Sequence, residues 1–287
     1  MSLRANPVSV PSMSVLPAVE RAQPLRVGIF DSGVGGLSVM LAIRARLPHA
    51  ELLYAADTGH APYGDRSEAF LCDRSERIAR FLTGQGAQIV VVACNTATAA
   101  AVAALRAASP TLALVGVEPG IKPAVALSAA RRIGVLATTR TLASDKFQRL
   151  AQAHADGAQL VLQACPGLAD AIEAADAAGS GLDVLVERYC APLRDAGVDV
   201  AVLGCTHYVF ARTLFERALP GVRLVDTADA VARQTARLAA DITPADDASP
   251  DLESPALRAW SSAAPEVLAA FARRWLNLHV DVQDMRC

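Results

Sequence analysis

The chain has 287 residues, with 27 Lys and Arg against 29 Asp and Glu and a formal net charge of −2. Just over half of it (53%) is hydrophobic but only 5% aromatic, and the mean hydropathy is +0.30. That composition supplies cores of aliphatic residues and alanine and excludes whole-chain disorder. A pI near 6.2 without Lys/Arg blocks excludes the charge footprint of a nucleic-acid or anionic-membrane binder, and no apolar run reaches the roughly 18 residues of a membrane helix. A soluble protein acting on a small molecule is the expectation, and the length favours two domains.

Residues 1–24 carry Pro7, Pro11, Pro17 and Pro24 and show neither helical nor strand periodicity, so they read as a flexible arm rather than a secretory signal. From Leu25 short β-branched runs alternate with alanine-rich stretches. Strands are predicted at Arg26 to Phe30, Glu51 to Ala55, Ile89 to Ala93 and Leu112 to Val117, with helices at 36–46, 67–83 and 97–108 between them. The same grammar resumes with strands at Arg132 to Leu136, Gln159 to Gln163 and Val198 to Leu203, and helices near 141–155, 169–178, 182–196 and 209–218. A Pro- and Asp-rich loop at 243–255 precedes a last strand near 257–261 and a helix opened by Pro265–Glu266. Alternating strands and helices predict an α/β fold with mostly parallel sheets.

An internal echo divides this pattern. Arg26-Val-Gly-Ile-Phe-Asp-Ser-Gly33 resembles Arg132-Ile-Gly-Val-Leu-Ala-Thr-Thr139, and Ala93-Cys94-Asn95-Thr96 resembles Gly204-Cys205-Thr206-His207. Two related α/β halves follow, each with a cysteine between the carboxyl end of a strand and a helix, the edge where open α/β sheets bind ligands. Six widely spaced cysteines (Cys72, Cys94, Cys165, Cys190, Cys205, Cys287), none in a CxxC pair, fit a reducing cytoplasm. A cysteine after an apolar strand is also good core filler; matching positions in two halves favour chemistry for Cys94 and Cys205. A helix N-terminus lowers a thiol pKa, so easier ionisation is expected at both.

Two thiols across a cleft suit racemisation beside a carboxylate, where one face loses a proton as the other gains one. Asn95, Thr96 and Thr206 offer donors for the carbanionic intermediate, and His207 can assist proton movement or hold a carboxylate. In Asp31-Ser-Gly-Val-Gly-Gly-Leu37 the third glycine of a dinucleotide fingerprint is replaced by Ser38. The fingerprint is incomplete, and the segment reads instead as a turn in which Asp31 and Ser32 hold a substrate ammonium or accept protons, or as a tight strand-to-helix turn and nothing more. Asp57-Thr58-Gly59 spells an aspartic-protease triplet in the wrong surroundings, and Pro62-Tyr63-Gly64 reads as a loop over the same sheet edge. Cys205 and His207 are too few for zinc, and no regular Cys/His spacing supplies the other ligands.

Taken in order, Gly28-Ile-Phe-Asp-Ser-Gly-Val-Gly-Gly-Leu-Ser38, Asp57-Thr58 with Ala61-Pro-Tyr-Gly64, Val92-Ala-Cys-Asn-Thr-Ala97, Glu118-Pro-Gly120 and Leu203-Gly-Cys-Thr-His-Tyr208 resemble glutamate racemase, over about residues 25 to 280. The resemblance implies a cofactor-independent enzyme, interconverting L- and D-glutamate for peptidoglycan, with its site in the cleft between two α/β domains: 25–117 plus 226–287, and 118–225. It implies that Cys94 acts on the proton of the D-enantiomer and Cys205 on that of the L-enantiomer, with Asp31 and His207 as auxiliary acid/base groups. Substrate contacts would come from Asp31, Ser32, Pro62, Tyr63, Gly64, Asn95, Thr96, Thr206 and His207, and from Glu173, which follows Cys165-Pro166. A homodimer is expected, and a muramoyl-peptide precursor, to which some relatives respond, is a candidate activator. This chain departs from the family at Ala169-Asp170, where Val-Pro is common, and at Val209, usually proline. Racemisation of aspartate or a hydantoin is the alternative chemistry; a non-catalytic amino-acid binder is the alternative class.

Overall fold

The computed structural model of the protein describes residues 24–174, 181–242 and 256–287. Most of the arm at 1–24, the end of the helix expected at 169–178 and the loop at 243–255 lie outside the described residues. Two sheets, parallel throughout, form the framework of the described residues. The larger takes β1 (Arg26–Asp31), β2 (Glu51–Ala56), β3 (Ile89–Val92), β4 (Ala113–Gly116), β9 (Leu257–Ser261) and β10 (Val282–Asp284), in the order β10-β9-β2-β1-β3-β4. The smaller takes β5 (Arg132–Ala137), β6 (Gln159–Ala164), β7 (Val200–Leu203) and β8 (Arg223–Val225), in the order β6-β5-β7-β8. Read from their first strands, both sheets run 2-1-3-4, which is the duplication that the sequence echo announced.

The strands read as continuous apolar runs because helices cover both faces. Alternation decides which helices each residue meets. Val27, Ile29, Leu52, Tyr54, Ile89 and Val91 enter one core, while Phe30, Leu53, Ala55, Val90 and Val92 enter the other. Under the first lie α1 (Leu37–Arg46) and α10 (Ala228–Ile242); under the second, α2 (Glu68–Gly84) and α3 (Asn95–Ala108). In the smaller sheet Ile133, Val135, Val200 and Val202 face α4 (Ile121–Leu127) and α6 (Asp145–His154). Leu136, Ala201 and Leu203 face α7 (Leu168–Ala174), α8 (Leu182–Asp195) and α9 (Arg212–Ala218).

Two expected helices differ in detail. The stretch 141–155 is two helices, α5 (Thr139–Ala143) and α6, because Ser144 is extended and its hydroxyl caps the second by accepting from Phe147 N–H at 3.1 Å. The helix expected at 209–218 begins as a 3-10 turn, Thr206–Ala211, and becomes α-helical only at Arg212. The expected elements leave out β8, β10, α4 and α10. A last helix, α11 (Pro265–Leu276), starts at Pro265 as expected and sends Phe271 and Trp275 against Phe210, packing the two halves together.

Candidate active site

Parallel strands place all their carboxyl ends on one edge, and the chain's chemistry collects there. Asp31 ends β1, Cys94 follows β3 by two residues, Thr138 follows β5, Cys165 follows β6 and Cys205 follows β7 by two residues. In the 2-1-3-4 order the chain crosses over between the first and third strands, so a crevice opens beside Asp31 and Cys94 in one sheet and beside Thr138 and Cys205 in the other. The two crevices form one cavity of about 70 Å³ that Cys94 and Cys205 both line, with Ser32, Asn95, Thr96 and His207. That is room for several waters or a small ligand.

The surroundings of Cys94 are polar but mostly uncharged. Its sulfur lies 3.7 Å from Ser32 Oγ and accepts the Ala97 N–H at 3.5 Å, as the cap of α3. Those contacts act to lower its pKa, but burial and the neighbouring Asp31 outweigh them and hold the thiol up at about 12. The easier ionisation expected from a helix N-terminus is therefore reversed at Cys94 by desolvation. Asp31 is fully buried and raised by that burial. Its carboxylate accepts the Gly33 N–H at 2.9 Å and, from the other half, the Thr206 hydroxyl at 3.0 Å.

Cys205 sits beside an ion pair. His207 Nδ1 lies 3.7 Å from its sulfur and Nε2 lies 2.6 Å from Glu173 Oε1. Burial alone would push the imidazole down, but contact with Cys205 and Glu173 outweighs it and raises His207 well above its ordinary value. Glu173 moves the opposite way: burial would raise it, and the His207 hydrogen bond and charge bring it below its ordinary value. The same carboxylate accepts the Val34 N–H at 3.3 Å, reaching across to the glycine-rich turn. Glycine is what lets the two halves approach so closely there. A Cβ on Gly35 would stand 2.4 Å from His207 Nδ1 and 2.5 Å from Thr206 Oγ1, and one on Gly33 2.2 Å from Glu173 Oε1.

The loop over the cavity is held from below. Asp57 is buried and accepts from Tyr63 Oη at 2.6 Å and from Arg74 Nε and Nη2 at 3.0 and 2.7 Å. Burial would raise this carboxyl, but the Arg74 and Tyr63 contacts keep it below its ordinary value. Tyr63 is thereby fixed with Pro62 and Gly64 over the cavity. Across the cleft, Thr96 Oγ1 lies 3.1 Å from Thr138 Oγ1, and Thr138 donates to Thr141 Oγ1 at 2.9 Å. Asn95 is 5% exposed, and its Oδ1 has no hydrogen-bond partner among the described residues, a buried acceptor left for a ligand.

Asp31 touches the cavity's walls through Ser32 and Thr206 rather than lining it, whereas Ser32, Pro62, Tyr63, Gly64, Cys94, Asn95, Thr96, Glu173, Cys205, Thr206 and His207 all line it. The lining also includes Thr138, Thr139, Cys165, Asp65 and Asp170, none of which the sequence reading assigned to the site. The echo held the signal for Thr138, since it stands where Ser32 stands in the first half. Asp57 and Cys165 are a second such pair, each following the second strand of its sheet. Among the described residues no cluster of three or more His, Cys, Asp or Glu is placed to hold a metal.

Two duplicated parallel α/β units with a thiol from each in one cleft define a protein of the amino-acid racemase class. The family model for Asp/Glu/hydantoin racemase matches residues 40–235, and the chain belongs to that family. A curated glutamate racemase from Pseudomonas aeruginosa is 48% identical over 250 residues, covering 87% of this chain and 92% of the relative. Among solved structures, the glutamate racemase of Bacillus anthracis aligns at a TM-score of 0.82 and 28% identity, over 91% of this chain and 97% of its own. The Escherichia coli glutamate racemase in complex with L-glutamate and activator UDP-MurNAc-ala aligns at 0.75 and 32% identity, over 91% and 98%.

Proposed function

We propose that this chain interconverts L- and D-glutamate without a cofactor, by two thiols acting on opposite faces of Cα. What supports the reading is that Cys94 and Cys205 line one small cavity while belonging to different sheets. In the L-to-D direction Cys205 takes the proton and Cys94 delivers one to the other face; in reverse the roles exchange. Asp31, beside Cys94, and His207, beside Cys205, support the transfers. The carbanionic intermediate needs donors in a site closed to water, and Asn95, Thr96 and the main-chain N–H of Thr206, whose hydroxyl is held by Asp31, supply them. The cavity lining includes no Lys or Arg among the described residues, so the substrate carboxylates are held by hydroxyls and N–H groups, from Ser32, Gly64 and Thr138 among others, with Tyr63 and Pro62 closing over them.

The reading extends to D-glutamate supply for peptidoglycan, to a cytoplasmic homodimer of two-domain protomers, and to activation by a muramoyl-peptide precursor of the kind bound by the Escherichia coli relative. The test is the circular dichroism of L-glutamate after addition of the pure protein. Decay toward zero, starting equally well from D-glutamate and lost in Cys94→Ala and in Cys205→Ala, is the expected outcome. Full activity in either variant removes the two-thiol mechanism, and a flat trace with the wild type removes the substrate assignment.

A further inference from the structure

The cavity mouth carries a charge arrangement that the chemistry of racemisation does not require. Asp65, at the end of the loop that carries Tyr63, lines the cavity from the larger sheet's side. Asp170, on α7, lines it from the smaller sheet's side. Helical spacing sets the second of these: Leu168 and Ile172 are buried in the core, while Asp170 and Glu173, three residues apart, share the opposite face and look into the cavity. Glu173 is neutralised by His207, at 2.6 Å. Among the described residues the side chains of Asp65 and Asp170 have neither an ion-pair nor a hydrogen-bond partner. The Asp170 carboxyl is raised above its ordinary value by partial burial and then by Glu173 and Asp65, with His207 acting against them, so the acids feel one another across the opening. Among the described residues no Lys or Arg lines the cavity to offset them, and Asn95, whose buried Oδ1 has no hydrogen-bond partner among them, lines the same cavity.

We propose that Asp170, opposed by Asp65, limits the affinity of the site for the doubly carboxylated substrate by like-charge repulsion at the mouth, acting on binding more than on the chemical step. This rests on glutamate as the substrate. Glutamate brings a net negative charge past two exposed carboxylates, and repulsion over such distances in a partly aqueous opening shifts affinity severalfold and is screened by salt.

The test compares wild type, Asp170→Asn, Asp170→Glu and the Asp65→Asn/Asp170→Asn pair, with L-glutamate as probe at low and at moderate ionic strength. Asp170→Asn is expected to lower KM about threefold to tenfold, with little change in kcat; the double variant lowers it further, and Asp170→Glu restores the wild-type value. Added salt should lower KM in the wild type more than in the double variant. A KM in Asp170→Asn equal to or above that of the wild type, or identical salt dependence in wild type and double variant, overturns the inference. A wild type that does not turn over glutamate fails the substrate reading instead, and is distinguished by that outcome alone.

Discussion

Cys94 and Cys205 stand at matching places in two sheets of the same strand order, but the groups around them differ in kind. Cys94 caps a long α-helix, with a serine hydroxyl, a backbone N–H and a buried carboxyl held against it. Cys205 opens a 3-10 turn, makes no side-chain cap, and has an imidazole already paired with a carboxylate. Duplication supplied equivalent positions, and divergence of the next two residues, Asn95-Thr96 against Thr206-His207, supplied different proton partners. A racemase must treat mirror-related substrates within one asymmetric protein, and unlike partners around like thiols are a way to do so.

The largest expected effect is loss of either thiol. Cys94→Ala and Cys205→Ala should each reduce racemisation by about 10³-fold or more, the scale of losing a positioned acid/base group, as read by polarimetry. Next comes the support of the loop on the Cys94 side. Asp57→Ala leaves the buried Arg74 guanidinium without its carboxylate and Tyr63 without its acceptor, and should cost about 3–5 kcal/mol in denaturant unfolding. The sign of the pH effect follows: a folded-state pKa below the unfolded value near about 3.9 gives stability that is present above that pH and lost as pH falls through the folded value. Acid unfolding of Asp57→Asn should lack that contribution.

On the Cys205 side, Gly35→Ala presses a methyl group onto Thr206 and His207. A displacement of that size at a reacting geometry costs on the order of 10²-fold in kcat, with the fold retained by circular dichroism. The smallest effect sharpens the comparison most. His207 is raised by its partners, so its ion pair stabilises the fold fully below about pH 6.5 and loses that contribution as pH rises through the higher folded value. Glu173→Gln should move the alkaline limb of the pH–rate profile to lower pH by removing one of those partners, while the corresponding change near Cys94, Ser32→Ala, should leave that limb in place.

Most of this architecture was legible because buried parallel strands announce themselves as apolar runs, and because the echo marked Cys94 and Cys205 as a pair. What escaped did so for physical reasons that vary by element. The strands Arg223–Val225 and Val282–Asp284 are three residues each, too short to show periodicity. The helix Ala228–Ile242 buries Val231, Thr235 and Ala239 at helical spacing, a readable pattern that alanine's weak hydrophobicity blurs. The thiol pKa of Cys94 was not readable from local sequence, since the burial that raises it comes from chain segments far away. The echo also carried an unused signal: it pointed to Thr138 as the counterpart of Ser32.

The central claim is that two different thiols serve the two faces of one carbon, and isotope exchange in deuterated water tests it most directly. Early in the reaction from L-glutamate, the account predicts that deuterium at Cα appears in the D-product while recovered L-substrate stays unlabelled, with the mirror result from D-glutamate. Equal early labelling of recovered substrate and product, the signature of a single base serving both faces, would contradict it.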